Sequence, residues 1–505
     1  MLWRRRRVGV VVVAVLVAGV APGVAAARVE VSEGPAVIKM RVGIDEGELD
    51  KMRAQARAGQ KVGPQQQGRA PRTPGDDQRE RQPAQKPAAA EKQARATAAA
   101  AERVTKRNPG AVTAAPPPPV LNEPNHRLLD ECFKSPESAP GMGRIHNRFT
   151  HCQRIGVEAE YWTIRNGVPV EKEGTTTATL ELFTQTDDKQ RRARQWARIQ
   201  RDSVDYDWGW WDNIWLAPNV PLTIIGQCRE SFSVCAASGG GVTFPWAYWD
   251  NQTTWQSWDV YNKPGSGVGR DVISYNHEYV ELFTDFPPFV TIKRGESPQR
   301  ALRCDSATYF RHGTTTYPHA CVFAEVTPRA GFTTDPASNY YLVSLHILQA
   351  QDAPNQTYPR LVPDGVPPPR DKRIPGKYIA GDENAPGLHR ISPQLHPTED
   401  KENDAHKNGA CYGTGIYADL YRDIGLPVPP DTSIPEECDE YPMGSTLEGA
   451  AHPDWDFSVK AVPRSHNRAA GGKVRVYYVD DRILQWDYDL EDPFNSNDRF
   501  YVHVQ

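Results

Sequence analysis

The sequence predicts a chain of several regions: a disordered N-terminal spacer, a β-rich and sandwich-like middle domain, and a small α+β C-terminal domain. Three observations lead to this division. Residues 28–121 are dominated by Ala, Gln, Arg, Lys and Pro with almost no aromatic residue, and such a segment cannot bury enough apolar surface to offset its chain entropy. From 122 to 351, β-branched and aromatic residues alternate between turn residues, the pattern of half-buried strands. A second proline-rich passage, 352–381, then separates this domain from residues 382–505 and reads as a semi-rigid linker.

At the start, residues 1–27 combine a basic beginning (Arg4 to Arg7), a short valine-rich apolar run and a small-residue end at Ala25, Ala26 and Ala27. These are the parts of a secretory signal peptide. The apolar run falls short of the ~20 residues that span a bilayer, so a cleaved signal is preferred to a membrane anchor. A secreted, extracellular chain with no membrane contact after cleavage is the expectation. The eight cysteines agree with it, since all lie beyond the low-complexity part and their number is even. Sequential pairing, Cys411 with Cys438 included, is the simplest arrangement. No pair has the CxxC spacing of structural zinc sites.

Within the spacer a short helix is expected at 45–58. In the middle domain, 157–164 and the run from Val168 form a hairpin across Asn166 and Gly167, a tight-turn dipeptide. Further strands are expected at 175–184, 277–283, 289–293, 321–326 and 340–348, and a helix at 188–200. Eight tryptophans (Trp208, Trp210, Trp211, Trp215, Trp246, Trp249, Trp255, Trp258) stand near Asp and Asn residues. Two readings stand: rings filling a β-sandwich core, favoured for most by their strand-face spacing, or an exposed platform for cell-wall or matrix polysaccharide.

In the C-terminal domain, 418–424 reads as a short helix and 457–462 as a strand that Pro463 ends. The chain around Glu440 and Tyr441 supplies its hairpin partner, 468–478 a helix and 500–504 an edge strand. Two strands followed by a helix, with carboxylates on the first strand and polar residues at the helix start, can hold one hard cation.

These residues also carry a resemblance. Cys438-Asp439-Glu440-Tyr441-Pro442-Met443, then Glu448-Gly449, Phe457-Ser458-Val459-Lys460, His466-Asn467-Arg468 with Gly471-Gly472, Asp481-Arg482-Ile483-Leu484 and the closing Phe500-Tyr501-Val502-His503-Val504 stand in the order and spacing of a known family. This quarter of the chain resembles the NucA/NucB secreted bacterial deoxyribonucleases, as does Leu388-His389-Arg390 upstream. The resemblance implies a fold of the ββα-metal nuclease type and a divalent-ion-dependent endonuclease that cuts DNA with little sequence preference. It implies Asp439 as the base or in a metal-linked role, Asn467 as metal ligand, and Glu440 and Glu448 as residues shaping the site. The family usually has a carboxylate where this chain has His466, which could bind phosphate, ligate metal or act as a general acid.

The chemistry asks for such residue types independently. A phosphodiester is an anion, so its hydrolysis needs charge neutralisation and a water made acidic near neutral pH, both of which Mg2+ or Mn2+ with oxygen ligands supplies. Carboxylates outnumber basic residues in this domain roughly two to one, which excludes a broadly basic DNA-binding surface. Arg464, Arg468, Lys473 and Arg475 nevertheless cluster beside the site, either to hold phosphates or as a solvated helix face. The expectation is therefore a secreted metal-dependent DNA endonuclease. The alternatives are an envelope or matrix glycan-binding protein with a degenerate nuclease module, and a secreted antibacterial nuclease toxin.

Overall fold

The computed structural model describes residues 36–57, 123–139, 143–166, 168–187, 189–209, 216–230, 235–287, 289–380, 382, 384–431, 433–490 and 498–505. The expected signal peptide and most of the expected spacer lie outside the described residues, as do Trp210, Trp211 and Trp215.

The middle of the chain is β-rich, and its larger sheet curls into a half-barrel. Along that sheet the strands run Phe289–Lys293, Ala36–Ile44, Thr150–Arg165, Val168–Thr186, Arg192–Ile199, Gln256–Asn262 and Cys235–Ala237. A second sheet runs Ala320–Phe323, Arg300–Asp305, Ser274–Phe283, Pro221–Glu230 and Val242–Pro245. Both sheets contribute to one apolar core, with Ile38, Val157 and Leu180 from the first and Leu222, Ile224 and Val280 from the second. The hairpin expected at Asn166 forms, with Asn166 in the left-handed region at φ 54. All eight cysteines pair sequentially: Cys132 with Cys152, Cys228 with Cys235, Cys304 with Cys321, and Cys411 with Cys438. Four disulfides fit an oxidising compartment, and among the described residues no helix is long and apolar enough to cross a membrane.

Several expectations are corrected. Residues 36–44, assigned to the spacer, form an interior strand of the half-barrel between Thr150–Arg165 and Phe289–Lys293. Their alternation, Val37, Ile38 and Met40 buried among charged neighbours, was hidden by the low-complexity sequence that follows. The helix expected next is present at Glu46–Arg57. The stretch 188–200, expected to be helical, holds the strand Arg192–Ile199. Paired on both edges and covered on both faces, it buries nearly every side chain and so loses the period of two. Trp208, Trp246, Trp249, Trp255 and Trp258 are all buried. Trp246 and Trp249 sit on a short helix, Trp246–Asn251, rather than on a strand.

The boundary between the two halves also moves. Residues 340–348, expected as a strand of the middle domain, belong to the helix Tyr341–Asp352, whose buried Val343, His346, Ile347 and Ala350 follow helical spacing. It packs not on the half-barrel core but in a second core with Tyr441, Val462, Val474, Tyr477 and Phe500. Just before it, the strand Arg329–Phe332 pairs in parallel with the last strand, Tyr501–Val504. The expected linker is fixed as well. Val459 donates to the Tyr358 carbonyl, Val502 to that of Gly376, and the buried Lys372 ammonium reaches Thr357 Oγ1 and the Pro359 carbonyl, both at 2.9 Å. Isolated bridges of this kind need few backbone donors, so a proline-rich strap can make them.

A buried charge cluster joins the halves. Arg148, Arg303 and Asp305 come from the β-rich half, Arg482 and Asp498 from the other, and all are at most 4% exposed. Arg482 Nη2 meets Asp305 Oδ1 at 2.7 Å, Arg148 Nη2 meets Asp498 Oδ1 at 3.0 Å, and Arg303 bridges Asp305 and Asp498. Burial alone would raise the Asp305 pKa, but Arg482 and Arg303 outweigh it and hold the carboxyl below its ordinary value. Removing one member would leave a buried charge uncompensated.

Residues 382–505 alone therefore lack part of their own core. Phe332, Val343 and Ile347 each stabilise by about 2 kcal/mol through burial, together a large share of the ~5–15 kcal/mol that holds a typical domain. A fragment 382–505 should show no cooperative urea transition by circular dichroism, whereas the chain from residue 28 should show one; a sharp transition in the fragment would contradict this packing.

Candidate functional site

The C-terminal half is organised on an antiparallel hairpin, Glu436–Tyr441 paired with Ser458–Pro463, that runs straight into the helix Arg464–Asp480. The hairpin register sets Asp439 opposite Lys460 and Tyr441 opposite Ser458. Because side chains alternate along a strand, Glu437, Asp439 and Tyr441 share one face, and Cys438 and Glu440 share the other.

The first face meets the helix Tyr341–Asp352 through polar contacts. Asp439 Oδ2 lies 2.6 Å from His346 Nδ1, and His346 Nε2 lies 2.7 Å from Ser458 Oγ. Lys460 donates to Gln349, and Gln351 donates to the Tyr441 hydroxyl. A carboxylate oxygen accepts, so Nδ1 carries a ring proton toward Asp439, while the Ser458 hydroxyl, which both donates and accepts, partners Nε2. The connectivity is that of a Ser–His–Asp triad, but Ser458 and His346 are 0% and 1% exposed. A hydroxyl that no substrate can reach is not a nucleophile. The side chain of Asp439 keeps 9% exposure, so the carboxylate is the member of this chain that reaches the surface.

Asn467 sits in the first turn of the helix Arg464–Asp480. Its Nδ2 donates to Glu437 Oε2 and to the Cys438 carbonyl, both at 3.3 Å, which leaves Oδ1 as its ligating atom. Glu437 Oε1 also takes Arg464 Nε at 3.0 Å and Arg468 Nη2 at 3.1 Å. On a helix of 3.6 residues per turn, Arg464, Arg468, Gly471 and Arg475 fall within about 60° of one another. They form one stripe, half-buried at Arg464 and exposed at Arg468, Gly471 and Arg475, with open space over Gly471. Lys473 projects elsewhere, over the rings of Tyr340 and Phe332 at 5.3 and 5.8 Å. His466 Nδ1 accepts from the Leu342 amide at 3.3 Å, satisfying one of the orphan donors at the start of the helix Tyr341–Asp352.

The second face belongs to the helix Pro397–Tyr412, which sequence reasoning missed. Cys438 is bonded to its Cys411. Glu440 accepts from the Gly444 amide at 3.1 Å and faces Lys407 at 3.6 Å. Burial pushes the Glu440 carboxyl up to about 7; Lys407 opposes the rise and Asp439 adds to it. Glu448 is tied into a separate pair, accepting from the His389 amide at 2.8 Å and facing His389 Nδ1 at 2.6 Å.

The structure thus sets Asp439 on the hairpin face that also carries Glu437, to which Asn467, Arg464 and Arg468 bind, sets Glu440 on the opposite face, and engages Glu448, His466 and Lys473 with His389, Leu342 and the Tyr340 and Phe332 rings. His346, Ser458 and Glu437 were missed. A histidine on the buried face of an apolar helix was the available signal for His346, and the strand assignment of 340–348 concealed it. Among the described residues no group of three or more His, Cys, Asp or Glu side chains is placed to hold a metal ion. The oxygens on offer are those of Asp439 and Asn467. They are hard donors, few enough that water and phosphate would complete the shell of a magnesium-like ion. Comparison with protein-family models, curated proteins and solved structures finds no match.

The Glu440 environment sets a pH dependence. Its folded-state pKa lies above the unfolded value of about 4.3, so the fold prefers the protonated form; the carboxyl opposes folding increasingly as pH rises from about 4 towards 7. Glu440→Gln should therefore raise the thermal midpoint by roughly 2–4 °C at pH 8 and lose that advantage at pH 4. An equal change at both pH values would contradict the assignment.

Proposed function

We propose that the chain is a secreted, metal-dependent endonuclease that hydrolyses phosphodiester bonds of DNA with little sequence preference. The single observation that carries this reading is the hairpin-to-helix unit. It carries one oriented carboxylate, Asp439, on the strand whose Glu437 and Cys438 carbonyl are bound by Asn467 of the first helical turn, with an arginine stripe along that helix, which is also the order of residues that resembles the NucA/NucB deoxyribonucleases.

In this reading the residues divide the work. Asp439, with Oδ2 bound to His346, offers its other oxygen to the proton of the attacking water. Arg464, Arg468 and Arg475 hold the phosphate backbone. The contacts that Arg464 and Arg468 make with Glu437 are largely solvent-exposed and worth only ~0–1 kcal/mol each, so exchange for a phosphate oxygen is nearly neutral. Asn467 Oδ1 would hold a divalent ion, which when bound supplies charge neutralisation and a more acidic water. Because the domain has an excess of carboxylates, attraction to DNA rests on this stripe and on bound cation rather than on net charge. The disulfides fit export. The buried tryptophans leave Trp210, Trp211 and Trp215, outside the described residues, as the remaining candidates for a glycan platform.

The chain from residue 28 should degrade supercoiled plasmid DNA with Mg2+ or Mn2+ and stop in EDTA, and Asp439→Ala should lower kcat by about 10²–10⁴-fold. Full activity in chelator would overturn the metal requirement, and parental kcat in Asp439→Ala would overturn the site.

A further inference from the structure

We propose that His346, on the helix Tyr341–Asp352 and outside the hairpin-to-helix unit, is the positioning residue that sets the orientation of the Asp439 carboxylate. The inference rests on the nuclease reading of Asp439 and adds to it a residue that the motif does not contain. Three features of the geometry carry it. The contact is short, 2.6 Å from His346 Nδ1 to Asp439 Oδ2, as a hydrogen bond to an ionised acceptor should be. The ring is fixed at its other end by Ser458 Oγ at 2.7 Å, so it cannot turn, and Nδ1 is the nitrogen that presents its N–H to Asp439. The ring is also sealed, with His346 1% and Ser458 0% exposed, so neither nitrogen exchanges its partner for water.

A carboxylate on a strand is free to turn about its last torsion, which makes its two oxygens equivalent. Pinning Oδ2 from the protein interior distinguishes them: one oxygen is held, and the other is left in a fixed direction at the surface. Outer hydrogen-bond partners orient metal ligands and catalytic groups in this way, and their loss typically lowers affinity or activity by ~10–100-fold. A misplacement of about 1 Å is enough for a loss of that size. The same helix secures the strands around Asp439, through Gln349 to Lys460 and Gln351 to Tyr441. His466 accepts from its Leu342 amide. The helix that carries His346 is thus anchored to both strands of the hairpin and to the helix that follows them.

Two variants separate positioning from folding. Asparagine places an amide N–H where Nδ1 stands, whereas glutamine reaches the position of Nε2 and offers Asp439 no donor. In the full chain from residue 28, His346→Asn should keep kcat within about tenfold of the parent, while His346→Gln should lower kcat by ~100-fold with KM changed less than about twofold, the pattern of an interaction made in the transition state. Nitrogen-15 spectra of the histidine-labelled chain should show His346 protonated at Nδ1. A bare Nδ1 overturns the proposal whether or not the chain is active. Equal losses of kcat in His346→Asn and His346→Gln, both folded, overturn it as well. A parental chain that cuts no DNA with either metal overturns the functional reading on which it rests, and the tautomer result separates the two failures.

Discussion

A carboxylate that faces a packed interior has to be answered there, and Asp439 is answered by His346, 93 positions earlier in the chain. That one requirement explains why the C-terminal half is larger than its motifs. The hairpin and its following helix can be read as a compact unit, but one face of the hairpin presents Asp439, Tyr441, Ser458 and Lys460, and all four find their partners on the helix Tyr341–Asp352. Buried polar groups are satisfied or costly, so the helix is part of the domain by necessity. The parallel pairing of Arg329–Phe332 with Tyr501–Val504 brings the helix to that position and closes the chain on itself.

The same logic holds at the boundary between the halves. Three arginines and two aspartates are buried together, drawn from segments as far apart as Arg148 and Asp498. Replacement of such a network by apolar residues is often neutral or stabilising, whereas removal of one partner is not. Its effect is therefore on geometry: Arg482, in the left-handed region at φ 52, follows the helix that carries the arginine stripe, and its anchoring to Asp305 fixes the end of that helix against the β-rich half. A domain expected to be set off by a semi-rigid linker is instead mounted on its neighbour through this cluster and a proline-rich strap.

Much of this was legible in the sequence, for physical reasons. The long strands, the Asn166 turn, the sequential disulfides and the hairpin-to-helix order follow from periodicity, turn chemistry and cysteine spacing, which are local. The misreadings share a cause. Arg192–Ile199 is buried on both faces, so its alternation is erased; the strand Ala36–Ile44 is isolated within low-complexity sequence; the helix Tyr341–Asp352 has β-branched and aromatic residues that suit a strand until its buried residues are counted at three and four positions apart. At the candidate site, Asp439 and Asn467 were singled out because their order resembles a known arrangement, and the arginines because they cluster beside it in the sequence. His346, Ser458 and Glu437 were not, since their roles arise only when distant segments meet. Tertiary contact also gives Glu448 and His466 partners that the sequence did not suggest, His389 and the Leu342 amide.

The account makes Asp439 and His346 one unit: the histidine matters because of the carboxylate it holds. Residues that act as a unit do not add when both are changed. The most direct measurement is a double-mutant cycle on DNA cleavage with Asp439→Asn, His346→Leu and the pair combined, each confirmed as folded. The account predicts that once Asp439→Asn is present, adding His346→Leu lowers kcat by no more than about twofold further. Single losses that multiply in the double variant would contradict it and return His346 to the core as a packing residue.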